Sequence, residues 1–414
     1  MFLNSKIAIV FLLLPLSVFC QEKKKDSTKV TTLEEVVITG QYNPQSIKKS
    51  VHNVTVIRRT QIESQAANNL ADLLNFNLNL TIIPSSQTGK STISFFGLDS
   101  QYFNILVDNI PLVSDNGLGN NIDLTQINLD DVERIEIVEG AMGVEYGANA
   151  VSGVINIITK KAIKSKWNIK ASLQEETVSN EYAWFDEGRH IQALNIANNI
   201  NENWFARVGV NRNQFAGFYN GKVGKNYYKN DGLRGYDWLP KEQFNTNAFI
   251  QYKKEKFQLF YKFEYFNELI NYYDAAVRAN IDTASQTSNP SATDKIFRTN
   301  RFVNNVNLVG NLNSGANYNV SLSYQEQKRY LNEFNYYILS TARSNETDDV
   351  YQSSKVFFSK GSINNLVKSN FFNFQLGYET RFISGFDTQA SGDVTQQDKT
   401  QTQQNYAFYG SLEF

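Results

Sequence analysis

From Lys164 onward the chain alternates apolar and polar residues with a period of two, segment after segment, and that habit excludes most folds. Trp167, Ile169, Ala171 and Leu173 interleave with Asn168, Lys170, Ser172 and Gln174. Trp204, Ala206, Val208 and Val210 interleave with Phe205, Arg207, Gly209 and Asn211. The pattern returns at Phe257-Leu259-Tyr261-Phe263-Tyr265, Tyr318-Val320-Leu322-Tyr324, Phe372-Phe374-Leu376-Tyr378 and Tyr406-Phe408-Gly410-Leu412-Phe414. Weaker versions lie near 190–199, 242–252, 302–312 and 350–360. Successive strand side chains point to opposite faces, so the spacing predicts roughly ten strands of about ten residues. Tight turns at 201–203, 253–256 and 313–316 alternate with long polar loops near 214–241, 267–297 and 383–402. Short turns at one end, long loops at the other, apolar outside and polar inside describe a transmembrane β-barrel. In lipid the backbone must satisfy its own hydrogen bonds, so such strands close into a ring. Composition agrees: aromatics reach 13% while mean hydropathy stays at −0.41. A secreted soluble β-sandwich also alternates, but without this regular alternation of loop length.

The first twenty residues differ. Lys6 precedes the apolar run IAIVFLLLPLSVF, which gives way to QEKKKDSTK. That run suits a secretory leader and is too short to span a bilayer as a helix. Residues 1–20 are therefore expected to be a signal peptide cleaved after Cys20, leaving an exported chain with no thiol. Residues 21–48 form a polar lead that contains one isolated β-branched run, LEEVVITG (33–40). Residues 49–162 have the mixed texture of a small α+β globule. HNVTVIRR, STISFFG, FNILVDNIP, VERIEIVEG and GVINIITK read as strands. IESQAANNLADLLNF has helical spacing, with Ile62, Leu70, Leu73 and Leu74 near one face. Residues 163–414 carry the alternating strands. The net charge of −1 argues against general affinity for nucleic acid.

Within the globule, DVERIEIVEGAMGVEYGANAVSGVINIITKK (131–161) closely resembles the end of the plug domain of TonB-dependent outer-membrane receptors. FNILVDNIPL (103–112) looks like the family's strand-and-turn element, LADLLNFNLNL its helix followed by a strand, and LEEVVITG sits where its TonB box lies. The resemblance spans 33–161. It implies a mainly β protein: a small α+β plug followed by part of an antiparallel transmembrane β-barrel, about ten of an expected 22 strands. It implies residence in the outer membrane of a Gram-negative bacterium as a multi-pass β-barrel. It further implies uptake of a scarce, bulky ligand of the siderophore-iron or cobalamin type, with energy delivered by TonB, together with ExbB and ExbD, at the periplasmic side. No cofactor and no enzymatic activity are implied. The alternative is a barrel-anchored surface binding protein or adhesin without active transport. With few residues ahead of the box, the chain resembles the siderophore, colicin and cobalamin receptors more than the polysaccharide-importing or signalling branches.

Site residues follow from the same resemblance. Glu35, Val36, Val37, Ile38 and Thr39 would add as a strand to the edge of TonB, since β-branched residues favour extended backbone. Ser85, Ser86, Gln87, Asp115 and Asn116 fall in the loops that the family's fold puts at the outward tip of the plug, where ligand arrives. Between Asp99 and Glu145 stand ten acidic residues and one basic, Arg134. Asp115 and Asp123 could therefore meet a cationic ligand or hold Ca²⁺ through oxygen atoms, although Asp and Asn dominate such turns anyway. Two departures stand out: Phe96-Gly97 and Glu139-Gly140 replace Arg-Gly pairs, whose arginines are commonly linked in the family to plug-to-barrel ion pairs. The lysines at 160, 161, 164 and 166 mark the junction between globule and strands, where solvation or anionic headgroups account for them.

Several other motifs lead nowhere. Gly140-x-x-Gly143-x-x-x-Gly147 is not the dinucleotide spacing. His52 and His190, the only imidazoles, lie away from the tip loops, and no GxSxG or HExxH is present. A globule of about 110 residues is roughly 34 Å across. Ten strands close into a cylinder only about 20 Å wide, whereas 22 give about 44 Å. The chain is therefore expected to hold the plug and somewhat under half of the wall, as a fragment or a product truncated at Phe414.

Overall fold

The structure is a computed structural model that describes residues 36–37, 45–46, 53–75, 80–86, 88–95, 97–113, 122–141, 146, 150–177, 180–312, 315–366, 372–388 and 400–413. The expected leader and the first half of the lead lie outside these residues. Two short strands come first, β1 (Val36–Val37) and β2 (Gln45–Ser46), paired antiparallel. The globule follows with β3 (Val54–Arg58), α1 (Arg59–Ser64), α2 (Leu70–Leu74), β4 (Leu80–Pro84), β5 (Ser91–Phe95), β6 (Phe103–Val107), β7 (Ile110–Pro111), β8 (Val132–Glu139) and β9 (Gly153–Thr159). Its main sheet has the order β3-β8-β9-β6-β7, with β6 and β9 parallel and the other pairs antiparallel, while β4 and β5 form a separate hairpin.

One helix expected over 62–76 is two. The chain breaks at Ala66, whose φ is +50°, and restarts at Asn69, whose side chain accepts a hydrogen bond from the Asp72 amide at 2.9 Å. An asparagine with this geometry caps a helix N-terminus and so favours a fresh start over continuation. Ile62, Leu70, Leu73 and Leu74 nonetheless all enter one core, with Ile105, Leu124, Ile135, Ile155 and Ile157. β9 is buried along its whole length, which explains why GVINIIT is apolar on both faces apart from Asn156 and Thr159, which bond Asn109 and Asp108.

The rest of the chain is a single antiparallel ten-stranded sheet in strict sequence order: β10 (Trp167–Glu176), β11 (Arg189–Asn199), β12 (Trp204–Phe215), β13 (Lys241–Lys254) and β14 (Phe257–Tyr272), then β17 (Ser291–Asn311), β18 (Asn317–Tyr337), β19 (Ala342–Asn364), β20 (Asn373–Asp387) and β21 (Thr400–Glu413). A small hairpin, β15 (Ile281–Asp282) with β16 (Thr287–Ser288), sits in the loop between β14 and β17. The strand count agrees with the sequence; the lengths do not. β17, β18 and β19 run for 21, 21 and 23 residues, about twice what a bilayer needs. Past the apolar stretch they keep their ladder with polar residues, so the region around 325–350 lost its hydrophobic signal while staying extended. Only 338–341 separates β18 from β19. Two of the long loops shorten accordingly, to 216–240 and 273–290.

The wall is inside out relative to a soluble protein. Along β12, Phe205, Arg207, Gly209, Asn211 and Asn213 are buried while Trp204, Val208 and Val210 are exposed. β13 buries Gln243, Asn245 and Asn247 and exposes Phe244 and Ile250; β18 buries Ser321, Ser323, Gln325, Gln327 and Arg329 and exposes Leu322 and Tyr324. A polar face that is buried and an apolar face that is open match a lipid-facing barrel. The soluble-sandwich reading requires the reverse.

Candidate functional site

The buried face of the wall is buried because the globule sits against it, with ion pairs and hydrogen bonds across the contact. Its centre is Asp131, at the turn leading into β8. Arg207 of β12 donates from Nη2 to Asp131 Oδ2 at 2.8 Å and from Nη1 to the Lys160 carbonyl at 2.7 Å. Lys262 of β14 approaches the same carboxylate oxygen at 3.5 Å. Beside it, Asp130 accepts from Asn211 Nδ2 at 2.8 Å. Asp108, in the turn after β6, accepts from the Thr159 amide (3.1 Å) and hydroxyl (2.7 Å) and pairs with Lys161 at 3.2 Å.

Burial alone would push both carboxyls up, because removal from water penalises the charged form. For Asp108 the charges of Lys161 and Lys262 and the Thr159 bonds outweigh it and hold the group at about 2. For Asp131 the Lys262 and Arg207 charges overcome burial and keep it below the usual carboxylate range. Lys160 moves down to about 8, first through burial and then through Arg59 and Lys170. The 160–166 lysines are thus not all idle: Lys161 braces Asp108, and Lys160 reaches the Asp130 carbonyl at 3.4 Å. Lys164 and Lys166 are exposed, as solvation predicts.

Further out, a second band of contacts holds the plug. Arg301 of β17 donates to the Gln126 carbonyl at 3.1 Å and pairs with Glu264 at 3.0 Å. Glu268 of β14, fully buried, accepts from Gln126 at 2.9 Å and from Gln243 at 2.7 Å. On the opposite side the hold is apolar: Ile110 and Val113 of the plug pack on Val356, Phe358 and Ile383. Across the seat the plug-to-wall ion pairs run from Asp131 to Arg207 and Lys262, with the acid on the plug and the cations on the wall. Glu139 itself takes no part in them; its carboxylate accepts from Asn53 Nδ2 at 2.7 Å.

At the outward end, the turn between β4 and β5 carries two of the expected tip residues. The Ser85 amide donates to the Lys90 carbonyl (2.8 Å), and the Thr88 amide donates to Ser85 Oγ (3.2 Å). Ser86 is exposed. The wall grips this turn by its carbonyls: Lys241 donates to that of Gly89 at 2.5 Å and Arg329 to that of Thr88 at 3.1 Å. Gln87, Asp115 and Asn116 lie outside the described residues. Asp123 is buried, and its Oδ1 accepts from the Ser91 and Thr125 amides. Among the described residues no cluster of three metal-ligating side chains occurs. His190 accepts or donates to Glu175 at 2.6 Å on the wall. At the inward end, Val36 and Val37 pair with Ser46 and Gln45; Glu35, Ile38 and Thr39 lie outside the described residues.

The residues that sequence reasoning missed are Asp131, Arg207, Lys262, Gln126, Glu268 and Arg301. Their one advance signal was the acidic excess of residues 99–145, which the wall cations balance.

Comparison with known proteins agrees with this architecture. Residues 46–154 match the family model described as the TonB-dependent Receptor Plug Domain. A rhizobactin receptor from Rhizobium meliloti is 31% identical over 203 residues, 49% of this chain and 26% of that protein. The vitamin B12 transporter BtuB of Vibrio cholerae is 27% identical over 280 residues, covering 60% and 44%. Among solved structures, the ferric enterobactin receptor PfeA of Pseudomonas aeruginosa superposes with a TM-score of 0.62 at 16% identity, covering 87% of this chain and 55% of that one. The siderophore receptor PirA of Acinetobacter baumannii gives 0.63 at 15%, covering 88% and 55%. The chain spans at most about half the length of these relatives.

Proposed function

We propose, for a chain that carries the plug domain of the TonB-dependent outer-membrane receptors and ten strands of wall around it, that the receptor imports a scarce, bulky ligand of the siderophore-iron or cobalamin type. Ligand meets the outer loops and the plug tip around Ser85, Ser86, Gln87, Asp115 and Asn116. Glu35–Thr39 pairs with TonB, with ExbB and ExbD supplying the energy, and the pull frees a path beside the plug. The observation that carries this reading is the polar, charge-paired seat between plug and wall. A contact built from hydrogen bonds and ion pairs can exchange them for water as the plug shifts, whereas an apolar seat of that size would resist separation.

The relatives named rhizobactin receptor and vitamin B12 transporter support the ligand class and do not choose within it. The rival is a barrel-anchored binding protein that captures ligand and transports nothing. Deleting Glu35–Thr39 separates the two: ligand should still bind the cell surface, while TonB-dependent accumulation inside the cell should stop. Undiminished uptake by the deletion variant would eliminate energised import.

A further inference from the structure

Burying a guanidinium is costly unless a carboxylate answers it. Four arginines among the described residues are buried, and three of them meet that condition. Arg207 pairs with Asp131 at 2.8 Å, Arg301 with Glu264 at 3.0 Å, and Arg234 with both oxygens of Asp294 at 2.7 and 2.8 Å. The fourth, Arg329 of β18, is 1% exposed and meets no carboxylate among the described residues. Its Nη2 donates to the Thr88 carbonyl at 3.1 Å, and its face lies over the Phe297 ring at 4.4 Å. Nε and Nη1 are buried with no acceptor. Directly opposite on β17 stands Thr299, also 1% exposed, whose hydroxyl is buried with no partner.

These idle groups lie under the plug tip. The turn 85–90 closes on itself through the Ser85 amide and the Lys90 carbonyl. It seats Gly89 tightly on the wall: φ is +66°, and a Cβ there would stand 2.9 Å from the Ile270 side chain. Ile270, Leu239 and Phe297 form one apolar cluster, so the surroundings strengthen the field of the guanidinium rather than screen it. The carboxylates nearby are engaged elsewhere. Glu268 accepts from Gln126 and Gln243 and lies 3.7 Å from Lys241, Asp387 accepts from Gln352, and Glu333 pairs with Lys295 at 3.1 Å. Ser86, on the same turn, is exposed. One turn of backbone therefore separates an uncompensated buried cation from whatever reaches the plug tip.

We propose that Arg329, with Thr299 beside it, couples an anionic ligand to the plug tip: an oxyanion on the ligand's rim draws the guanidinium off the Thr88 carbonyl and so loosens the turn. This rests on the import reading and narrows it to ligands with an anionic edge. Two free N–H donors of one guanidinium and a hydroxyl suit a carboxylate or phosphate edge, and a charged acceptor outcompetes a neutral carbonyl. The test uses the full chain in nanodiscs, pyrophosphate as the probe, and exchange of the Gly89 amide, which donates to the Ser85 carbonyl at 2.9 Å. Pyrophosphate should speed that exchange about ten-fold in the intact chain, the scale of one hydrogen bond from a charged donor. It should have no effect in Arg329→Met, and sodium chloride at equal ionic strength should not reproduce it. Arg329→Met should also unfold in urea no more readily than the parent, because the charge it removes has no counter-ion, whereas Arg207→Met should unfold more readily. No response to pyrophosphate, an equal response in Arg329→Met or with chloride, or a urea loss matching that of Arg207→Met would each overturn the proposal. The Glu35–Thr39 deletion tests import separately. Uptake that survives the deletion removes energised import and leaves the pyrophosphate result standing, while silence towards pyrophosphate leaves import of a neutral ligand intact.

Discussion

Replacing Asp131 by Asn tests whether the charge seat governs how firmly the plug is held. Asn keeps the shape and one acceptor oxygen but deletes the charge that faces Arg207 at 2.8 Å and Lys262 at 3.5 Å. Both cations are nearly buried, with side-chain exposures of 4% and 7%, so water cannot replace the lost partner. Removing one member of a buried pair costs about 3–5 kcal/mol, because the survivor is left uncompensated. Arg207 retains the Lys160 carbonyl at 2.7 Å, and Lys262 still feels Asp108, which argues for the lower end, about 3 kcal/mol. Native-state hydrogen exchange on the reconstituted chain reads this directly. The Lys160 amide, bonded to the Asp131 carbonyl at 2.9 Å, should exchange roughly a hundred-fold faster. Adding Arg207→Met to Asp131→Asn should recover part of the loss, since the buried charge left without its partner is then gone. A change below about 1 kcal/mol in the single variant, or strict additivity in the double, would show that the seat is held elsewhere and refute the reasoning.

Three further outcomes follow from the geometry. Gly153 has φ +147°, and a Cβ there would stand 2.3 Å from the Val138 carbonyl oxygen and 2.8 Å from the Phe95 ring; Gly153→Ala should destabilise the plug sheet by about 3 kcal/mol, seen as faster exchange across β8 and β9 with the wall unaffected. Asp108 is held at about 2 against an ordinary 3.8, so its contribution, about 2 kcal/mol, is complete above the unfolded value and fades as pH falls through the folded one. Plug stability followed by exchange should therefore stay level from neutral down to about pH 4 and decline towards pH 2; a decline beginning at pH 6 would contradict the assignment. Leu194 lies on the outward face and is exposed, so Leu194→Arg should cost about 2–4 kcal/mol in urea unfolding from lipid, whereas a water-facing surface would tolerate it.

How much of this was legible beforehand varied with the range of the interaction. Val208 and Val210 announced their face because strand alternation is local, and Ile62, Leu70, Leu73 and Leu74 announced a core for the same reason. The break at Ala66 was invisible, since a left-handed residue there depends on how Asn69 is used downstream. The lengths of β17 to β19 were hidden because extended polar strands above a bilayer resemble loops in composition. The Asp131–Arg207 pair joins residues far apart in sequence; the acidic surplus of 99–145 foretold that partners must exist and gave no hint of which. The Arg-to-Glu departure at Glu139 told nothing of which charges would meet across the seat, because such a pair can equally be assembled with the acid on the plug and the cation on the wall.

The hydrophilic lining of the wall has a consequence for the cell that owns it. A bore faced by Asn211, Asn245, Asn247, Gln325 and Arg301 would fill with water at once if vacated. Those amide and guanidinium groups would hydrate rather than draw together. In the receptor we propose, the plug is what closes such a bore, which favours brief, partial displacement over wholesale ejection.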